Sequence, residues 1–289
     1  MCRLFGMHAG HRSVHATFWL LTAPDSLEVQ SRREPDGTGV GTFTADGLPR
    51  VDKQPIAAWE DRAFAREARD LVSSTFLAHV RYASIGEHTY ANTHPFEQDG
   101  RLFAHNGAFT EVAAVDQRLD ELGAADLVQG QTDSERMFAL ITSETRRADG
   151  DVAAGIEAAL TWIAQNVPVL SLNFILTTAT DLWAVRYPDT HELHVLDNRT
   201  GAAAPGRHLR ARSPRISAHG EDIGDFVLVA TEPMANDLRW HLMDPGVLLH
   251  VDRDLTVTRT SPFPDEPTRR LTLDDLDPVA AASQREGKP

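Results

Sequence analysis

A chain of 289 residues with 42% hydrophobic content is long enough to bury a sizeable core, as one large domain or two small ones. Its 42 Asp and Glu against 28 Lys and Arg leave a formal charge of -14, which disfavours nucleic acid and membrane surfaces as partners because both reward clustered basic residues. The single cysteine excludes an internal disulfide, and the longest apolar run near the start, Phe18-Trp19-Leu20-Leu21, is too short for a signal-peptide core; the expected compartment is the cytoplasm.

In chain order, Cys2 to Ala9 has strand length and β-compatible residues, with Gly6 allowing another backbone close by. Pro24-Asp25-Ser26 marks a helix start running to about Ser31. Pro35-Asp36-Gly37 is turn chemistry, and the alternate glycines 37, 39 and 41 predict a strand whose start lies against something bulky. A polar helix follows from Glu60 to Val72. Thr75 to Val80 reads as a buried strand delivering Arg81 at its end, and a short strand from Arg101 to Ala104 ends at His105-Asn106-Gly107.

Glu111 to Leu122 has helical periodicity. Thr132 and Glu135 form the signature of a capping box at the start of a helix reaching about Arg147, and Asp151 to Gln165 is a further amphipathic helix. From Leu172 the period changes, and residues 173–178, 182–187 and 192–196 predict a meander of antiparallel strands. Two apolar runs, 225–231 and 246–251, come next, with 255–259 able to pair back on the latter. Strands at the start, middle and end with helices in two groups fit two packed sheets with helices outside. Residues 2–260 read as a single domain, and 261–289 as a Pro-rich, charged tail that is partly disordered.

Cys2 stands where removal of Met1 would make it the N-terminal residue. Its α-amine, with a reference pKa of about 7.7–8.0, could then accept the thiol proton, so nucleophile and base would sit on one residue. A cleaved leader would remove this group, so the reading requires that there be none.

The motifs Met1-Cys2, Asp36-Gly37-x-Gly39, His79-Val80-Arg81, Asn92-Thr93-His94-Pro95-Phe96, His105-Asn106-Gly107 and Thr132-Asp133-Ser134-Glu135 occur in an order that resembles the class II glutamine amidotransferases, which are N-terminal-nucleophile hydrolases. The resemblance spans residues 2–255 and is strongest to the stand-alone members, which include the amidohydrolase of ergothioneine biosynthesis; Thr231-Glu232-Pro233 and Arg239-Trp240 look like the latter part of those proteins. It implies an α+β fold: a four-layer αββα sandwich of two antiparallel sheets flanked by helices. The chain departs from the synthase-linked members at Arg81-Tyr82-Ala83-Ser84-Ile85, where an Arg-Trp-x-Thr-His pattern is common, so no glutamine-covering loop is carried over.

Carried over residue by residue, the resemblance implies Cys2 as nucleophile, with an oxyanion hole from the Asn106 side-chain amide and the Gly107 backbone N–H. It implies Arg81 for the substrate α-carboxylate, which a guanidinium can grip through both oxygens, and Asp133 for the α-ammonium, at a helix start that favours a carboxylate. His94 and His105 would order loops around the pocket, and Asp36-Gly37 would be structural. No cofactor is called for. A metal is disfavoured because His191 and His194, if both in one strand, point to opposite faces.

Three functions stay open. The first is hydrolysis of glutamine or a γ-glutamyl amide through a Cys2 thioester by a stand-alone protein, slow on free glutamine and faster on some conjugate. The second is a glutaminase subunit supplying ammonia to a separate synthase, and the third a non-catalytic sensor or scaffold that retains Met1.

Overall fold

The computed structural model describes residues 2–23, 25–32, 36–81, 87–199, 224–234 and 239–284. The expected features at Met1, Pro24, Arg33 to Pro35 and Tyr82 to Gly86 lie outside them.

The chain opens with β1 (Arg3–His8), a short β2 (Val14–His15), a π-helical turn at Phe18–Thr22 and α1 (Leu27–Gln30). Ser26 caps α1 by accepting from Val29 N–H at 3.5 Å, as its place before the apolar run predicts. Then come β3 (Gly37–Phe43), β4 (Pro49–Gln54), α2 (Arg62–Asp70), β5 (Val72–Ser73), β6 (Thr75–Arg81), β7 (Phe96–Gln98) and β8 (Arg101–Phe109). Three helices follow, α3 (Val112–Glu121), α4 (Asp133–Arg147) and α5 (Val152–Asn166). The second half carries β9 (Val169–Thr177), β10 (Leu182–Arg186), β11 (His194–Asp197), β12 (Val227–Ala230), β13 (Trp240–Leu242), β14 (Val247–Val251), β15 (Val257–Thr260) and a final helix α6 (Pro278–Gln284).

Two large antiparallel sheets result, ordered β13-β11-β12-β1-β6-β3-β4 and β15-β14-β10-β9-β8-β7, with β2 and β5 forming a small third one. Strand alternation sorts their side chains into three apolar layers. Phe5, Met7, Val40, Phe76 and Ala78 pack outward under α1, α2 and the π-turn. Leu4, Leu77, Leu102, Ala104, Ile175 and Val229 fill the space between the sheets. Phe103, Phe174 and Leu176 turn the other way onto α3, α4 and α5, where Phe103 stacks on Phe138 at 4.8 Å. The expected αββα sandwich is the observed one.

Four local readings are corrected. β8 does not stop at Ala104 but runs through His105-Asn106-Gly107 to Phe109, because β9 pairs with it along that whole length. The meander breaks after β10, since β11 crosses to the first sheet to pair with β12 and β13 while β14 takes the place beside β10. His191 accordingly lies in the connection before β11 and not in a strand with His194. The segment read as a tail is packed as far as Gln284: Phe263 is buried against Tyr187, and Val169 N–H donates to Arg269 O at 2.9 Å.

The glycine-rich start of β3 behaves as predicted. A Cβ at Gly39 would overlap the His94 carbonyl, and one at Gly41 would come within 2.6 Å of Leu102 Cδ1, so the His94-Pro95 segment and β8 press against bare backbone. At Gly6 the close neighbour is a side chain, with Ile175 Cγ2 2.8 Å from a would-be Cβ. Among the described residues no helix is long and apolar enough to cross a membrane.

Candidate active site

Cys2 precedes a central strand. In the β1–β6 ladder Arg3 faces Val80 and Leu4 faces His79, so one step further Cys2 stands beside Arg81. Residues opposite one another in an antiparallel pair share a face, which puts Cys2 with Leu4 and Gly6 on the side turned to the second sheet. This end of β1 is held in place: Thr231 N–H donates to Leu4 O at 3.2 Å, Leu4 N–H donates to Thr231 Oγ1 at 3.4 Å, and buried Arg3 pairs with Glu232 at 2.9 Å. Cys2 itself is half-buried. The Thr231-Glu232 motif therefore anchors the strand that carries the thiol, a role its sequence position did not disclose.

Arg81 ends β6 and is only 4% exposed. Burial depresses its pKa from the ordinary value, and the charges of Cys2, Asp36 and Asp133, close enough to be felt, oppose that. Asp36 is tied to the same place by its N–H, which donates to Arg81 O at 3.1 Å. The sequence reading gave Asp36 a structural role; the geometry adds an electrostatic one.

β8 brings the other wall. Leu102 lies over Gly41, and the strand runs from there toward the Gly37–Arg81 end of the cleft, carrying Asn106 on the inter-sheet face with Leu102 and Ala104. Asn106 is 0% exposed, and neither atom of its side-chain amide has a hydrogen-bond partner among the described residues. Buried polar groups are ordinarily paired, so such an amide marks a place where a ligand group fits. Gly107 faces Leu172 across the ladder, but Leu172 N–H donates to Tyr187 O on its other side at 2.7 Å. That alternation turns the Gly107 peptide groups away from β9, to a side where the carbonyl accepts from Gln284 Nε2 at 3.3 Å and that β7, paired only with Arg101 to Phe103, does not reach. A side chain at Gly107 would overlap the Ser171 carbonyl, so only glycine allows β9 to pack this closely.

The start of α4 supplies the last group. Thr132 Oγ1 accepts from Glu135 N–H at 3.2 Å, the predicted cap, but the Glu135 carboxylate does not complete a reciprocal box; it accepts from Gln129 N–H at 3.1 Å and Gly130 N–H at 2.6 Å. Asp133 is buried, with Oδ2 accepting from Phe109 N–H at 3.1 Å and Oδ1 from Ser134 N–H at 2.9 Å. His105 braces this corner. Its Nε2 contacts Ser171 O at 3.1 Å, which can only accept, so Nε2 carries the hydrogen and Nδ1 is left to accept from Ser134 Oγ at 2.9 Å. Burial lowers the pKa of His105, takes His79 to about 3 and pushes His94 well below its ordinary value, so the three are neutral rings; His79 and His94 lie 4.2 Å apart.

The structure thus gathers Cys2, Arg81, Asn106, Gly107 and Asp133 at one end of the cleft between the sheets. It adds Asp36, Ser134 and Glu232, each joined to the site by a contact from a distant part of the chain.

An αββα sandwich with a cysteine heading a central strand defines the class, and comparison with known proteins agrees. The model of the class-II glutamine amidotransferases matches residues 1–272, and the chain belongs to that enzyme family. It is 32% identical over 201 residues to the γ-glutamyl-hercynylcysteine sulfoxide hydrolase of Mycobacterium tuberculosis, covering 66% of this chain and 78% of that one. It is 26% identical over 283 residues to a probable glutamine amidotransferase of Saccharomyces cerevisiae, covering 81% and 76%. Among solved structures, the glutamine phosphoribosylpyrophosphate amidotransferase of B. subtilis superposes with a TM-score of 0.64 at 18% identity; the match takes in 92% of this chain, which spans only 50% of that one.

Proposed function

We propose that the protein hydrolyses glutamine or a γ-glutamyl amide through a thioester on Cys2, with Met1 removed. The observation that carries this reading is Asn106: a fully buried side-chain amide without a hydrogen-bond partner among the described residues, on the face of the cleft toward which Cys2 also points. The name of the M. tuberculosis relative, a hydrolase of a γ-glutamyl compound, supports the substrate class.

In this reading the Cys2 sulfur attacks the γ-carbonyl carbon, and the thiol proton passes to the α-amine of Cys2. The Asn106 Nδ2 and Gly107 N–H donate to the oxyanion, in a site walled by buried side chains, where such donors act more strongly than in open water. Collapse breaks the C–N bond, the amine leaves with the proton, and water cleaves the thioester to release glutamate and restore the thiol. Arg81 holds the α-carboxylate, and Asp133, whose two oxygens can each accept a further bond, takes the α-ammonium. Together they fix the carbonyl over the sulfur. Hydrolysis is slow on free glutamine and faster on a γ-glutamyl conjugate, in the cytoplasm; supply of ammonia to a synthase partner is the second reading.

The test is the intact mass of the purified protein before and after reaction with a glutamine-analogue diazoketone. Loss of Met1 and a single adduct on Cys2, absent in Cys2→Ala, is the expected result. Unlabelled protein with Met1 retained would leave the non-catalytic reading standing. A substrate panel separates the first two: strict preference for glutamine, raised by an added partner, would favour the synthase-linked version.

A further inference from the structure

The end of the chain, from Phe263 across the limit of the family match at residue 272 to Gln284, forms a strap that reaches Gly107. The strap is anchored along its length. Tyr187 Oη donates to Asp265 O at 3.0 Å, Thr268 N–H donates to Ala164 O at 2.9 Å, Leu271 N–H donates to Val169 O at 2.8 Å, and Arg269 grips Glu111 with both arms at 2.7 and 2.8 Å. It then enters α6, which buries Ala280 and Ala281 and delivers Gln284, 2% exposed, at its end.

Gln284 makes two side-chain hydrogen bonds, one of them to the residue that follows Asn106. Its Nε2 donates to the Gly107 carbonyl at 3.3 Å, and its Oε1 accepts from His191 Nε2 at 2.9 Å. The assignment is internally forced: a carbonyl only accepts, so the amide nitrogen faces Gly107, and the oxygen then requires hydrogen on His191 Nε2. His191 is itself fixed by Asn173, whose Nδ2 donates to His191 O at 3.1 Å. Burial lowers its pKa to about 4, so this polar pair carries no charge.

The direction of approach gives the pair its meaning. Arg81 lies on β6, on the β3–β4 side of β1, whereas His191 lies beyond β9 on the β10 side, the part of the second sheet that packs over β1 through Ile175 and Leu182. Cys2 heads β1, the strand between β6 and β12 over which that part of the second sheet packs. A γ-glutamyl group with its carboxylate on Arg81 and its carbonyl carbon at the sulfur must point its leaving amine away from Arg81, toward His191 and Gln284.

We infer that Gln284 and His191 form the leaving-group wall of the site and decide how large an amine the γ-glutamyl substrate can carry, an assignment that rests on the Cys2 hydrolysis reading. A neutral amide and imidazole can bond a slender polar amine, and because both side chains are almost fully buried a bulky aromatic amine would have to displace them.

The experiment compares kcat/KM for γ-glutamyl-p-nitroanilide with that for γ-glutamyl methylamide in the full chain. In Gln284→Ala the anilide-to-methylamide ratio should rise about tenfold over wild type, the scale on which pocket size discriminates between substrates. His191→Ala should move it the same way, and carries the test if Gln284→Ala loses its fold. A ratio that stays at the wild-type value, or a parallel loss on both substrates, overturns the wall. Wild-type protein that cleaves no γ-glutamyl amide and takes no label on Cys2 would instead overturn the hydrolysis reading itself.

Discussion

The Phe109 N–H donates to Asp133 Oδ2 at 3.1 Å, and so the first turn of α4 is fastened to the end of the strand that carries Asn106 and Gly107. The group proposed to bind the substrate ammonium is thereby held in register with the group proposed to bind its oxyanion. Asp133→Asn keeps the size but presents an amide nitrogen to one of the two donors, leaving a buried N–H unpaired. We expect KM to rise by about tenfold or more with a lesser change in kcat, read from steady-state kinetics, because an ion pair to the substrate is lost. An unchanged KM would remove Asp133 from the binding site.

Arg81→Lys retains the charge and loses the planar fork. Because a lysine can meet a carboxylate only as a point charge, KM should again rise about tenfold or more while the melting temperature stays close to wild type. If the variant binds substrate normally, the carboxylate is held elsewhere.

Asn106→Ala should behave differently. Its amide has no hydrogen-bond partner among the described residues to lose, so stability should hold or improve, while kcat falls by about 10²–10³ with little effect on KM, the usual consequence of removing one oxyanion donor. A raised KM with unchanged kcat would refute the assignment.

Gly107→Ala is expected to fail as a fold before it fails as a catalyst. The added methyl overlaps the Ser171 carbonyl, and overpacking of a rigid core costs about 1–3 kcal/mol or more. Thermal melts should show a drop of several degrees; a variant as stable as wild type would mean β9 can yield there.

Stability should also fall in mild acid. His79, His94, His105 and His191 all have lowered pKa values in the folded protein, about 3 for His79 and about 4 for His191, with burial the largest cause in each. The unfolded chain binds these protons near pH 6.5, so stability is fully present above that value and is lost as pH falls toward 4. His79 and His191 each contribute a slope of up to about 1.4 kcal/mol per pH unit in that window, and His94 and His105 act in the same direction. Melts between pH 7.5 and 5 test this, and a midpoint that does not move would mean that the rings open to solvent.

How much was legible in the sequence depends on the range of the interaction. Thr132 as a cap, Arg81 at a strand end and the need for bare backbone at Gly39 are local chemistry, written in residue type and spacing. Cys2 is singled out in the sequence by its position, and its role as nucleophile is the proposal made above. What the tertiary structure decided comes from partners far apart in the chain. Glu135 fits a capping box by pattern, yet Gln129 and Gly130 offer it two N–H groups and it turns to them. The continuation of β8 through Asn106-Gly107 depends on β9, more than sixty residues later, since an isolated Asn-Gly reads as a turn and only cross-strand pairing makes it extended. β11 left its expected sheet because β14 already paired with β10, a competition between strands that no single strand's pattern records. The packed strap to Gln284 was least visible of all: its composition is polar and Pro-rich, and it is ordered by a few buried apolar side chains and by hydrogen bonds to β9, α5 and the Gly107 carbonyl, partners that exist only once the sandwich has formed.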